Sequence, residues 1–428
     1  MDRSVPPGEI QGELTPPCSK SYAQRALAAA LLAEGESTLR NIELCDDTRS
    51  AMRCIEALGA DVTVVDPHTL KIRGGLAPRG RTLHVGESGL STRLFTPIAA
   101  LAGVPLRIEG EGTLLRRPMT MMIAPLRQLG VEVRHRDGFL PFDVCGPLHS
   151  ATVEVDGSVS SQFITGLLLA LPAARGEFTI DVRRAVSTPY IDMTVEAAHR
   201  FGAEILHNGY TQFYIEGGQR YRPTDYSIEG DWSAAAFWME ICALSAGWYT
   251  LTNLRADTLQ GDRRAAEYFG QLGVDAVASE EHPGGIDLSP SPEVFGRLDL
   301  DLSDNPDLAP ALAVTATMIG VPFKLTGLAN LGVKECDRLE ALCTEMSKLG
   351  RPVEKVRDFG LEWDGRSLPV DSMPVLSAHG DHRMAMALAP VSLYIPGILL
   401  DGPEYVSKSY PEFWNQLRAV GFLSLIHI

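Results

Sequence analysis

The chain has 428 residues, 45% hydrophobic and 21% charged, with a mean hydropathy of +0.01; this excludes disordered and fibrous classes and predicts two soluble globular domains. A formal net charge of -16 argues against nucleic-acid and anionic-membrane partners, so any phosphate site must gather its cations locally. Seven scattered cysteines with no CxxC pair suggest neither a disulfide framework nor a zinc site, and an N-terminus without an apolar core predicts a cytoplasmic protein with free thiols.

In chain order, the first polar segment out of place in a core is Lys20-Ser21-Tyr22-Ala23-Gln24-Arg25, opening an alanine-rich helix over Ser21 to Ala33. Backbone N–H groups, an ammonium and a hydroxyl meet there, as an anion would require, and Arg25 follows Ser21 on the same face. Gly86-Glu87-Ser88-Gly89 is a turn that lets a phosphate approach the backbone before a helix carrying Arg93. Arg116-Arg117-Pro118 sets two guanidiniums ahead of a helix, and Ser160-Ser161-Gln162 puts neutral donors at the start of another. Strands are expected at Leu70-Lys71-Ile72, Thr152 to Val155 and Phe178 to Val182, and helices at Ser233 to Ala246 and Glu335 to Leu349. Ser187 to Thr194 is polar, and Asp307 begins an apolar helical run as a carboxylate able to accept a hydroxyl proton. The richest segments come last: Asn330 to Arg338 with Lys334 and Glu335, His379 to Met386 with Arg383, and Val406 to Pro411 with Lys408. Lys334, Glu335, Asp337 and Arg338 also read as a salt-bridged surface turn. His379 and His382 lack further ligands, so no metal is expected.

A longer rhythm underlies these segments. Helix, glycine, strand recurs at Gly59, Gly130, Gly202, Gly273, Gly350 and Gly421, spaced by 71, 72, 71, 77 and 71 residues. A glycine of this kind closes a helix in the left-handed conformation, and the residues after it suit a strand. Six units divide as three per domain, with crossings near Thr15-Pro16-Pro17 and Ile228 to Asp231. The expected domains are 1–15 plus 229–428, and 16–228.

Taken together, K-S-x-x-x-R, S-S-Q-F, P-Y-I-D, K-E-x-D-R, D-H-R-M-A-M and K-S-Y-P resemble the enolpyruvyl transferase family in its 3-phosphoshikimate branch, from Lys20 to about Gly421. The resemblance implies an α/β (α+β) fold of two similar domains, each of three βαβαββ units, with the active site in the cleft between them. It implies enolpyruvyl transfer from phosphoenolpyruvate to the 5-hydroxyl of shikimate 3-phosphate by addition and elimination, by a monomer with no cofactor and no nucleic-acid or membrane partner. Shikimate 3-phosphate would be held by Lys20, Ser21, Arg25, Ser160, Ser161, Gln162, Ser187, Asp307, Asn330 and Lys334. Phosphoenolpyruvate would lie against Lys20, Gly89, Arg117, Gln162, Arg338, Arg383 and Lys408, with Tyr190 and Arg93 nearby. Asp307 would act as base, Glu335 as acid, and Lys20 would stabilise the departing phosphate.

Leu90 departs from the family's small hydroxylic residue and Leu94 from its proline, which implies weaker inhibition by glyphosate; Cys18 and Cys336 replace Gly and Ser or Thr. Leu423 to Ile428 match nothing in the pattern and are expected to be a sequencing artefact, since the adapter ctgtctcttatacacatc translates to them. The sister enzyme acting on UDP-N-acetylglucosamine would carry a catalytic cysteine near Leu115, where none stands. A non-catalytic, anion-binding paralogue is the rival of another class, and Lys20, Asp307 and Glu335 together argue against it.

Overall fold

The structure, a computed structural model, describes residues 11–422 except 159, 358 and 371; the segment expected to be an artefact lies outside the described residues. The chain divides into a first compact unit, Cys18–Glu229, and a second that joins the stretch up to Pro17 to everything from Gly230 onward.

The first unit carries α1 (Lys20–Leu32), α2 (Asp46–Ala57), α3 (Gly89–Leu101), α4 (Thr120–Gln128), α5 (Gln162–Ala170) and α6 (Pro189–Arg200). Its strands form three four-stranded sheets of one design, in which a parallel edge strand precedes a central strand flanked by an antiparallel hairpin. In one sheet Ala151–Asp156 runs parallel to Glu177–Arg183, which pairs antiparallel with Gln212–Glu216, and Leu206–Asn208 lies outermost. The sheet of Thr82–His84, Leu106–Glu109, Phe139–Cys145 and Glu132–Arg136 repeats this order. The third sheet is closed from the far end of the unit, where Asp225–Ser227 runs parallel to Gly35–Arg40. Helices α1, α3 and α5 are buried along nearly their whole length and form the core.

The second unit carries α7 (Trp232–Ser245), α8 (Ala265–Gly270), α9 (Ala309–Ile319), α10 (Arg338–Lys348), α11 (His382–Leu388) and α12 (Phe413–Ala419). Here Gln11–Leu14 supplies the parallel edge beside Trp248–Leu251, and Leu298–Asp301 plays that part beside Phe323–Thr326. Among the described residues the sixth repeat has two strands, Val375–Ser377 and Leu399–Asp401. No helix among the described residues is long and apolar enough to cross a membrane.

All six repeat glycines have positive φ, between 68° and 123°. After five of them the next N–H bonds the carbonyl five residues back, as in Ala60 to Ile55, Val131 to Leu126 and Phe422 to Leu417, which is the Schellman closure. Gly273 differs: α8 has already ended at Gly270, and Gly273 sits in the strand Leu272–Ala278 at a register shift. The helix expected from Glu335 begins instead at Arg338, because the Asp337 carboxylate caps it by accepting from the Glu340 N–H at 3.1 Å.

A second glycine series went unread in the sequence. Gly74 ends, and Gly146 and Gly217 directly follow, the hairpin strand beside the central one in each first-unit sheet, and a Cβ there would stand 2.0 Å from Ala30 O, 1.8 Å from Ala100 O and 2.3 Å from Ala174 O. Each lets a sheet close directly over the C-terminal end of a core helix.

Candidate active site

In the first unit the expected residues gather at helix beginnings. Ser19 caps α1, so Lys20 and Ser21 occupy its first turn, and Lys20 Nζ lies 3.0 Å from Asp47 in the first turn of α2. Ser91 Oγ, near the start of α3, donates to Gln24 Oε1 at 2.9 Å, which draws α1 and α3 together. Arg93 NH1 donates to Gln162 Oε1 at 2.6 Å and its guanidinium lies 4.7 Å from the centre of the Phe163 ring, joining α3 to the start of α5. The α5 turn holds Ser161 buried and Ser160 partly exposed. Ser187 precedes α6 with φ of 53° and is buried.

Arg25 lies fully buried behind these turns. It donates to Ser21 O at 2.8 Å, Thr194 Oγ1 at 2.9 Å, Tyr190 O at 2.9 Å and Thr165 Oγ1 at 3.3 Å, tying α1, α5 and α6 into one end. Its partners are neutral, and burial lowers its pKa to about 10. Arg117 lies against the first residue of α3: a Cβ on Gly89 would sit 2.9 Å from both terminal guanidinium nitrogens. Absence of a side chain at Gly89 thus lets a guanidinium rest on a helix N-terminus, and two anion-binding elements coincide.

In the second unit Asp307 stands at the centre. Its Oδ1 lies 2.8 Å from Arg338 NH1 and 3.1 Å from Lys334 Nζ, and its Oδ2 lies 3.3 Å from Arg383 NH2. Burial opposes ionisation, but Arg383, Lys334 and Arg338 outweigh it and hold the carboxyl well below the usual range. Glu335 lies 3.1 Å from Arg338 and 3.6 Å from Lys408. Arg338 is 1% exposed, which rules out the surface-turn reading of this segment. Its guanidinium also grips Asp381, through Nε to Oδ2 at 2.7 Å and NH2 to Oδ1 at 3.2 Å. Burial opposes its charge, yet Asp381, Asp307 and Glu335 raise its pKa well above the ordinary value. Arg383 NH2 further donates to Ser233 Oγ at 2.9 Å. Asn330 lies in a 3₁₀ turn over Ala329–Val333, its Oδ1 buried without a hydrogen bond among the described residues.

Sequence reasoning assigned no role to Gln24, Asp47, Thr165, Thr194, Ser233 and Asp381, the groups that hold the expected residues in place. Polar residues inside apolar helices were the available signal for Gln24, Thr165 and Thr194. His379 pairs with Glu345 at 2.6 Å, and no group of three metal-ligating side chains occurs among the described residues.

The family model for EPSP synthase (3-phosphoshikimate 1-carboxyvinyltransferase) matches residues 5–417. The chain belongs to this family. A 3-phosphoshikimate 1-carboxyvinyltransferase of Bacteroides fragilis is 36% identical over 422 residues, 97% of each chain. One of Clostridium kluyveri is 34% identical, covering 98% of this chain and 97% of the relative. In fold, a solved structure of EPSP synthase from Acinetobacter baumannii matches with a TM-score of 0.77 at 23% identity, over 98% of this chain and 97% of that one. As a family member the protein is an enzyme that transfers the enolpyruvyl group of phosphoenolpyruvate to shikimate 3-phosphate and releases phosphate.

Proposed function

We propose that shikimate 3-phosphate is held by Lys20, Ser21, Arg25, Ser160, Ser161, Gln162 and Ser187 of the first unit with Asp307, Asn330 and Lys334 of the second. Phosphoenolpyruvate then engages Lys20, Gly89, Arg117 and Gln162 with Arg338, Arg383 and Lys408. Asp307 takes the 5-hydroxyl proton as oxygen attacks C2, and Glu335 delivers a proton to C3. The adduct then returns a proton from its C3 methyl group to Glu335 as the C2–O bond to phosphate breaks, with Lys20 stabilising the leaving charge.

The observation that carries this reading is the position of Asp307 among Lys334, Arg338 and Arg383, all within 3.3 Å. With its pKa held low, Asp307 is a poor base while those cations attend it. A substrate phosphate or carboxylate competes for the same cations, so its arrival restores basicity to Asp307 and loosens Glu335 from Lys408. Substrate binding and activation of the base are then one event. No cofactor enters, and the enzyme works as a cytoplasmic monomer.

The test is a rapid-quench search for the tetrahedral adduct. Asp307→Ala should suppress adduct formation and Glu335→Gln should slow both its formation and its breakdown, each by about 10²–10⁴-fold. Normal adduct kinetics in either variant would remove that residue from its role.

A further inference from the structure

The core helices of the first unit have a second end. At the C-terminal ends of α1 and α3, and beside the 3₁₀ turn Leu171–Ala173 that follows α5, the three repeats leave a cavity of about 1170 Å³. Helices α1 and α3 have 13 residues each, so the cavity lies about 20 Å along them from the turns that hold Lys20 and Gly89.

Its wall has two characters. Leu32, Leu101, Leu148 and Ala174 provide an apolar surface, while Arg175, Arg220, Arg222 and His149 contribute cationic or titratable groups against one carboxylate, Glu34. The repeat geometry makes room for two of these side chains: a Cβ on Gly202 would stand 3.1 Å from Arg222 Cδ, and one on Gly130 would stand 2.5 Å from His149 Cδ2. Two Schellman glycines thus make room for side chains that line the cavity.

Several other arginines of the same unit are paired with carboxylates. Arg40 lies 2.8 Å from Asp225, Arg79 2.7 Å from Asp61, Arg183 2.7 Å from Glu154 and Arg184 2.6 Å from Asp156. Among the described residues, Arg175, Arg220 and Arg222 stand exposed at the cavity mouth and make no side-chain ion pair or hydrogen bond to protein. In a chain with net charge -16, three guanidiniums lacking carboxylates around one cavity form a local positive field over an apolar floor. Guanidinium groups bind carboxylates bidentately, and the floor favours a hydrophobic body.

We propose that this cavity binds a small organic anion that carries a carboxylate on an aromatic or alicyclic ring. It is a site separate from the one that performs enolpyruvyl transfer.

The probe is benzoate, titrated calorimetrically into the full chain, with benzyl alcohol as the uncharged counterpart. Benzoate should bind, and Arg220→Gln/Arg222→Gln should raise its Kd at least tenfold. Arg183→Gln, which removes a paired arginine of the same unit, should leave the Kd within twofold, and both variants should retain wild-type kcat. The single variant Arg220→Gln should give an intermediate loss, which keeps the test open if the double variant folds poorly. No benzoate binding at 10 mM, affinity unchanged in the double variant, or equal affinity for benzyl alcohol would each overturn the assignment.

Discussion

Glu240 is a carboxylic acid in the wrong solvent, and its replacement should strengthen the protein. It lies in α7, fully buried, and among the described residues neither carboxyl oxygen makes a hydrogen bond. Burial alone raises its pKa well above the ordinary 4.5. Because the folded pKa is the higher one, stability from this group is complete below 4.5 and is lost as pH rises toward the folded value. As pH rises above 4.5 folding must therefore take up a proton that the unfolded chain has lost, which costs up to about 1.36 kcal/mol for each pH unit until the folded value is reached. The unbonded neutral carboxyl costs about 1–3 kcal/mol more. Glu240→Gln removes the first cost, and Glu240→Met removes both while filling similar volume. Denaturant unfolding from pH 5 to 8 should show wild type losing stability relative to Glu240→Gln as pH rises, with a limiting slope of about 1.4 kcal/mol per pH unit. Glu240→Met should be the most stable at pH 7, by about 1–3 kcal/mol from the unbonded carboxyl alone. Parallel pH curves for wild type and Glu240→Gln would refute the claim that this carboxyl is buried and protonated.

Three further outcomes are expected. Gly89→Ala drives a Cβ into the Arg117 guanidinium at 2.9 Å, so KM for phosphoenolpyruvate should rise about tenfold or more while thermal stability changes little, as steady-state kinetics and a melting curve would report. Gly146→Ala and Gly421→Ala should differ sharply in urea unfolding. The first places a Cβ 1.8 Å from Ala100 O and should cost more than about 4 kcal/mol, whereas the second, with φ of 88° and open space, should cost about 1 kcal/mol. Leu90→Thr should lower the inhibition constant for glyphosate, and equal inhibition of the two proteins would dismiss Leu90 as the cause.

Much of the fold was legible because its closures are local. Positive φ at Gly59, Gly130, Gly202, Gly350 and Gly421 is demanded by hydrogen bonds that span five residues, so the repeat is written in the chain itself. Gly273 kept the spacing but not the closure, since pairing with the strand Ile286–Val294 took that glycine into the sheet. Lys20, Gly89, Ser161 and Arg338 were legible for the same reason: each sits at or beside the start of a helix that its own neighbours predict.

What the sequence determined alone was thus the repeat, the helix beginnings and the identity of the charged groups. Tertiary structure decided which of those groups meet. Arg25 and Thr194 are separated by 169 residues, and Arg338 and Asp381 by 43, and only packing brings each pair within 2.9 Å. Tertiary structure likewise decided that Gly74, Gly146 and Gly217 must lack side chains, because the carbonyls they face lie at or just after helix ends remote in the chain. Local bonds depend on residue order, which a sequence displays; charge pairing and close approach depend on distance in space, which it does not.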